Sequence, residues 1–354
     1  MLKSLLVLAF AAATSAVLAA PPANSLQIVT GPDRGTYIQV GRDLARLVAE
    51  PAGLNLEVMP SKGSAENVKR LRSEPGVRLA LVQSDVYQAF VDEAQNGNTD
   101  AAELIKPLRV MMPLYGEEIY FVVRADSPLN YIHEIKDKRI NIGPVGSGTA
   151  LSATTVYKQI FGSALSEKNA SFLSNEDALL KLATDKSIDV AVVVAGQPAK
   201  LFADMKQQAR QYVKLLKLDP KSEETNAATS VYVPSMVRAS SYPNWLTEDI
   251  PTLTVRALLV TYNFQTPAAR DSLTRFAASL CSNFNRLQSE GHAKWKEVSM
   301  SQPPLGKGWS YYTPTVRTLA MCNGTSITPA TTAAAASGLR ACSQNSQMLG
   351  LCRP

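Results

Sequence analysis

The chain is poor in the groups that do chemistry. Of its 354 residues only two are histidine, His133 and His292, and four are cysteine. A Ser-His-Asp hydrolase needs a histidine beside its nucleophile, and no G-x-S-x-G elbow is present to supply that nucleophile. There is no paired-histidine spacing and no C-x-x-C pair, so the common frames for zinc are missing. GPVGSGT (143–149) lacks the lysine of a P-loop, and GPDRGTY (31–37) lacks the G-x-G-x-x-G spacing of a dinucleotide site. Charge of one sign is scarce too. Lys and Arg total 36 against 30 Asp and Glu, and the basic residues alternate with acids, as in KQQARQYVKLLKLDPKSEE (206–224). That pattern reads as solvated surface rather than a nucleic-acid stripe. Beyond the N-terminus no run reaches the roughly 18 to 20 apolar residues of a membrane span. The expectation is a binding protein without cofactor or metal, not an enzyme, not membrane-embedded, and with no nucleic-acid partner.

What is present begins with an export signal. Met1–Lys3 give a charged start, Leu5–Ala13 an apolar stretch and Val17-Leu18-Ala19 a small-residue cleavage pattern, so 1–19 read as a secretory signal peptide. The mature chain is expected in the periplasm. All four cysteines fall late, at Cys281, Cys322, Cys342 and Cys352, and in an oxidising compartment two disulfides with three possible connectivities are expected. A zinc site using His292 is the alternative. The staples would pin a tail in which TPATTAAAASGLR (328–340) holds little core by itself.

Three times a short apolar strand runs into a Gly/Ser/Thr turn and then an amphipathic helix: LQIVTGPDRGTYIQVGRDLARLV from Leu26, LEVMPSKGSAENVKRL from Leu56, and INIGPVGSGTALSATTVYKQI from Ile140. The free N–H groups and positive dipole end of each helix, joined by nearby hydroxyls, make an anion site that needs no catalytic side chain. Strands at Leu26–Thr30, Leu54–Pro60 and Leu79–Ser84 alternate with helices, the first burying Tyr37, Val40, Leu44, Leu47 and Val48. This is α/β order, with helices on both sides of a mainly parallel sheet and ligands at the carboxyl ends of strands.

A long strand, Leu108–Arg124, carries Pro113 and Gly116 and leads to a second α/β set: strands at Arg139–Gly143, Asp189–Gly196 and Val213–Leu218, a helix from Gly148, and another begun by Gln197-Pro198. Strand Val255–Tyr262 then precedes a helix capped by Thr266, with Pro267 first and a face of Leu273, Phe276, Leu280, Phe284 and Leu287. The order describes a chain that leaves one lobe, builds a second and returns. The expected division is 26–112 plus 258–300 for lobe 1, 113–257 for lobe 2 and 301–354 for a cysteine-containing extension.

TGPDRGTYIQVG, SKGSAENVKRL, LALVQSDV, PLYGEEIYFVVRADS, NIGPVGSGTA and IDVAVVVAGQP, in this order and spacing, resemble the TAXI family of extracytoplasmic solute receptors. The likeness runs from about Leu26 to about Trp295. It implies a two-lobed periplasmic-binding-protein fold (type II-like) with a hinge of crossing strands and a ligand cleft between the lobes. It implies a small acidic ligand, such as glutamate, glutamine, a dicarboxylate or an oxo-acid, handed to a TRAP-type membrane permease. Carried over by position, it points to Gly35, Thr36, Tyr37, Gly63, Ser64, Asn67, Gln83, Ser84, Asp85, Tyr115, Ser147, Gly148 and Thr149.

Several of these have a plainer reading. The serines could be ordinary N-caps, Tyr37 could be core with only its hydroxyl near the cleft, and Asp85 could cap a helix near Val86 rather than meet a ligand ammonium. The first turn departs from the family's small residues with Pro32, Asp33 and Arg34. Arg34 would either grip a ligand carboxylate or pair with Asp33 or solvent. Loop 239–245 could add Tyr242 as a contact. A sensory module of the same fold, signalling to a membrane partner, is the second functional reading; an exported hydrolase is a third.

Overall fold

A computed structural model describes residues 24–322 and 342–352. The expected signal peptide and the Ala/Thr-rich run 328–340 lie outside the described residues. The strands are β1 (Ser25–Val29), β2 (Asn55–Met59), β3 (Val77–Gln83), β4 (Leu108–Arg124), β5 (Ile140–Asn141), β6 (Ala170–Ser171), β7 (Val190–Ala195), β8 (Val213–Leu215), β9 (Val233–Val237) and β10 (Ile250–Tyr262). The helices are α1 (Thr36–Leu44), α2 (Ser64–Ser73), α3 (Ser84–Gln95), α4 (Thr99–Ile105), α5 (Gly148–Phe161), α6 (Asn175–Ala183), α7 (Lys200–Ala203), α8 (Glu223–Thr229), α9 (Pro267–Ser282), α10 (Phe284–Glu290), α11 (Thr313–Met321) and α12 (Gln344–Met348).

The fold is mixed α/β, a central sheet flanked by helices. The strands follow the order β2-β1-β3-β10-β4-β7-β5-β6, with β8 on β4 and β9 on β10. β1 pairs in parallel with β2 and β3, and β5 with β6 and β7. The expected parallel pairing holds in these outer strands. In the middle β10 runs antiparallel to β3 and β4, and β4 antiparallel to β7. The reason is the two long strands, each of which serves both halves of the sheet. β4 faces β10 up to Glu118 and β7 from Glu118 onward, while β10 faces β9 before Val255 and β3 from Ala257. Opposite Pro113, which has no N–H to give the ladder, the β4–β10 register shifts.

Alternation along the strands sends successive side chains to different cores. On β3, Leu79 and Leu81 join a cluster with α1 and α9, whereas Ala80 and Val82 join one that holds Val68, Phe90 and Val156. On β4, Tyr120 and Val122 pack with Phe202, Tyr242 and Trp245, whereas Ile119, Phe121 and Val123 face the core shared with α5.

Some local expectations need correction. The first helix keeps its buried face but changes to π-type winding over Ala45–Ala49. The helix expected to start at Gln197-Pro198 begins at Lys200, with Ala199 as its N-cap. The face drawn from Leu273 to Leu287 belongs to two helices, broken at Asn283. Thr266 precedes Pro267 as expected, but its side chain makes no cap bond.

The cysteines form Cys281–Cys322, joining the ends of α9 and α11, and Cys342–Cys352, bracketing α12. The zinc alternative falls with them. The stapled α12 segment is bonded to two parts of the sheet's flank: Ser343 and Ser346 donate to Glu93, Gln344 Nε2 donates to Leu165 O, and Met348 O accepts from Gly146 N.

Candidate functional site

The N-termini of α1, α2 and α5 meet at one cavity of about 100 Å³. Arg34, Gly35, Thr36, Tyr37, Gly63, Ser64, Gln83, Ser147, Gly148 and Thr149 all line it. The approach is close. A Cβ on Gly63, whose φ of +126° is open to glycine but strained for other residues, would sit 3.3 Å from Gly148 N. A Cβ on Gly148 would collide with Gln83 Oε1 at 1.6 Å and sit 2.9 Å from Ser64 Oγ.

The hydroxyls here hold the turns together. Ser147 Oγ accepts from Ala150 N at 3.1 Å as the N-cap of α5, Thr149 Oγ1 accepts from Val194 N at 3.3 Å, and Ser64 Oγ accepts from Gln83 N at 3.0 Å. These bonds use oxygen lone pairs and leave the hydroxyl hydrogens of Ser147 and Thr149 as donors. Thr36 Oγ1 instead donates to Gly196 O at 2.6 Å. Gln83 is 3% exposed, and its Oε1 has no hydrogen-bond partner among the described residues.

Asn67, Ser84, Asp85, Tyr115 and Tyr242 lie outside this lining. Asn67 is fully buried and donates to Thr30 O and Leu81 O while accepting from Ser61 Oγ, tying α2 to the strands beneath it. Ser84 opens α3 away from the cavity lining. Asp85 accepts from its own helix at Val86 N and, from distant parts of the chain, from Ser152 Oγ at 2.6 Å and Tyr232 OH at 2.9 Å. Burial raises its pKa. Tyr115 is fully buried, with its hydroxyl unpartnered among the described residues. Tyr242 sits in the aromatic core, sharing a hydroxyl bond with Tyr120 and accepting from Ala199 N at 2.8 Å. Its loop folds inward because Tyr242 and Trp245 pack on Phe202. Arg34 reaches the cavity mouth but pairs with Asp204 at 2.8 Å, not with Asp33.

Two acids that the sequence motifs did not single out dominate the electrostatics: Glu117 and Glu118, at the point where β4 changes partners. Pleating turns them to opposite faces. Glu117 lines the cavity, is 3% exposed, and accepts from Tyr37 OH at 2.6 Å. Burial pushes its pKa up to about 8, and the neighbouring Asp85 and Glu118 add to the rise. Glu118, on the other face, meets Lys294 Nζ at 2.7 Å and accepts from both nitrogens of Gln197. Lys294 is 1% exposed and also binds Glu297. The signal was in PLYGEEIYFVV: adjacent acids inside an otherwise apolar strand are seldom buried without a purpose. Lys62, at the mouth beside Arg34, was also missed.

Among the described residues no cluster of three or more His, Cys, Asp or Glu could hold a metal, and neither histidine lines the cavity. His292 is engaged between Pro198 O and Lys294 N, and burial lowers its pKa. No helix among the described residues is long and apolar enough to cross a membrane.

The pattern of the NMT1-like family matches residues 28–302, which include every residue of this cavity. The chain belongs to the NMT1-like family. Solved structures similar to this NMT1-like protein include a TctC solute-binding protein from Polaromonas, 18% identical, covering 85% of this chain and 96% of that one with a TM-score of 0.39. The periplasmic binding protein BugD is 14% identical over 77% of this chain and 84% of that one, with a TM-score of 0.47. The alkanesulfonate-binding protein SsuA from Xanthomonas axonopodis pv. citri, bound to MOPS, is 14% identical over 85% and 80%, with a TM-score of 0.42. In the NMT1-like protein, the two disulfides fit an extracytoplasmic location.

Proposed function

We propose that this protein is an extracytoplasmic receptor of the TAXI type that captures a small acidic metabolite and delivers it to a TRAP-type membrane transporter. The observation that carries the reading is the convergence of three helix N-termini on one small cavity. Each N-terminus presents unsatisfied N–H groups and about half a positive charge, so together they favour a carboxylate or similar anion. The unpartnered Gln83 Oε1 supplies a polar anchor for a second group of the ligand. Lobes formed by 26–112 plus 258–300 and by 113–257 would part to admit the ligand and close on it, bending where β4 and β10 pass from one to the other. The inter-lobe bonds of Thr36 with Gly196 and of Asp85 with Ser152 and Tyr232 would then belong to the closed form. We read the protein as a binder without catalytic activity, acting in the periplasm after removal of residues 1–19.

The test is thermal denaturation of the mature, disulfide-intact protein, freed of carried-over ligand, against glutamate, glutamine, succinate, 2-oxoglutarate and neutral sugars. Ligand at 100 times its Kd adds about 2.7 kcal/mol of stability, a clear rise in Tm. A shift with acids and none with sugars supports the reading; a shift with sugars alone refutes it.

A further inference from the structure

Glu117 is the one carboxyl in the cavity wall that is almost fully buried, and among the described residues it has no cation in contact. The nearby ammonium, Lys294, is spent on Glu118 at 2.7 Å and on both oxygens of Glu297 at 2.9 Å. The other titratable groups near Glu117 are Tyr37 from α1, Asp85 from α3 and Tyr115 from its own strand, with Glu118 on the strand's opposite face; the cavity lining also holds Arg34, which pairs with Asp204, and Lys62 and Glu176. Tyr37 OH binds Oε2, and among the described residues no hydrogen bond reaches Oε1. A buried carboxylate without a cation is costly, and the usual remedy is to hold the proton. A protonated carboxyl is a donor, which an acceptor-only carboxylate is not.

We propose that Glu117 enters the cavity as a neutral carboxylic acid and donates its proton in a hydrogen bond to an anionic oxygen of the ligand, so that capture is coupled to protonation of the receptor. This rests on the acid-receptor reading and adds a specificity-determining residue to it. The bound anion strengthens the arrangement, because two carboxyl groups sharing a site hold one proton more tightly than either does alone. The helix N-termini take the ligand's charge, and Glu117 selects for an acceptor at the floor of the cavity. Above the titration of Glu117, binding must draw a proton from solvent, and apparent affinity falls about tenfold per pH unit.

Two measurements test this. Infrared spectroscopy of the ligand-free protein should show a buried protonated carboxyl band at pH 7 that is lost as pH rises through about 8 and is missing in Glu117→Gln. Calorimetry with 2-oxoglutarate and with glutamate from about pH 6 to about pH 10 should show affinity falling above about pH 8 with proton uptake. Glu117→Gln, which keeps a donor but does not titrate, should bind with an affinity that no longer falls above about pH 8. Absence of the band at pH 7 overturns the proposal, as does a folded Glu117→Gln that no longer binds, since that result means an ionised Glu117 meeting a ligand cation. Binding that is flat with pH overturns the coupling alone; failure of both probes at every pH overturns the acid-receptor reading and the coupling with it.

Discussion

Replacing Gly148 by alanine separates closure of the cavity from stability of the fold. Gly148 is the first residue of α5 and has an ordinary helical backbone, so alanine is compatible with the helix and favoured over glycine by up to about 1 kcal/mol. The added methyl would stand 1.6 Å from Gln83 Oε1, 2.4 Å from its Cδ and 2.9 Å from Ser64 Oγ. Gln83 is 3% exposed and its backbone N–H is held by Ser64, so its side chain has little room to retreat. Overpacking of this kind costs about 1–3 kcal/mol. On the proposed closure that cost applies only when α5 lies against β3 and α2, so it falls on the closed, ligand-holding form. The expected result is a Kd weakened about 5- to 150-fold by calorimetry, with the Tm of the ligand-free protein shifted by no more than a few degrees. Gly63→Ala, at a φ of +126°, should lower both affinity and Tm because its strain is present in every state. Unchanged affinity in Gly148→Ala with an unchanged Tm would refute the reasoning, since the cavity between α2 and α5 would then not be where the ligand is held.

Lys294→Met leaves Glu118 buried without its cation and should cost about 3–5 kcal/mol in chemical denaturation, against a loss below about 1 kcal/mol if the pair were dispensable. Cys281→Ser opens a cross-link spanning 41 residues, and the chain-entropy account puts the loss near about 4 kcal/mol, measured as the shift in denaturant midpoint at constant slope. Glu117 holds its proton more tightly folded than unfolded, so the folded state binds more protons between the ordinary carboxyl range and about pH 8. Its contribution is fully present below pH 4.5 and is lost as pH rises toward 8. Glu117→Gln should flatten that part of the stability profile, and an unchanged slope would assign it to other groups.

The turns were legible because their chemistry is local. Gly35, Gly63 and Ser147 stand where the strand-turn-helix pattern placed them, and α1, α2 and α5 start within a residue of those positions. Strand β4 was read with its full span because apolar segments stand on both sides of Gly116-Glu117-Glu118. Asp85 shows where local reading stopped. Its bond to Val86 N was foreseeable from spacing, whereas its bonds to Ser152 and Tyr232, 67 and 147 residues away, were not. Tyr242 was drawn to the site by its loop, yet packing against Phe202 and Trp245 outweighed exposure of a polar tip.

The α/β alternation, the three strand-turn-helix junctions, the lateness of the cysteines and the shortage of catalytic groups are properties of the chain alone, since each depends on composition or on neighbours within a few residues. Folding in three dimensions was needed to bring the three turns to one cavity, to join Cys281 to Cys322, and to send Glu117 to the cavity while its neighbour Glu118 meets Lys294. Those outcomes depend on which strands lie side by side. The central antiparallel pairing of β4 and β10 brings together residues more than a hundred positions apart, and no local pattern encodes which face of a strand an incoming lysine or helix end will meet.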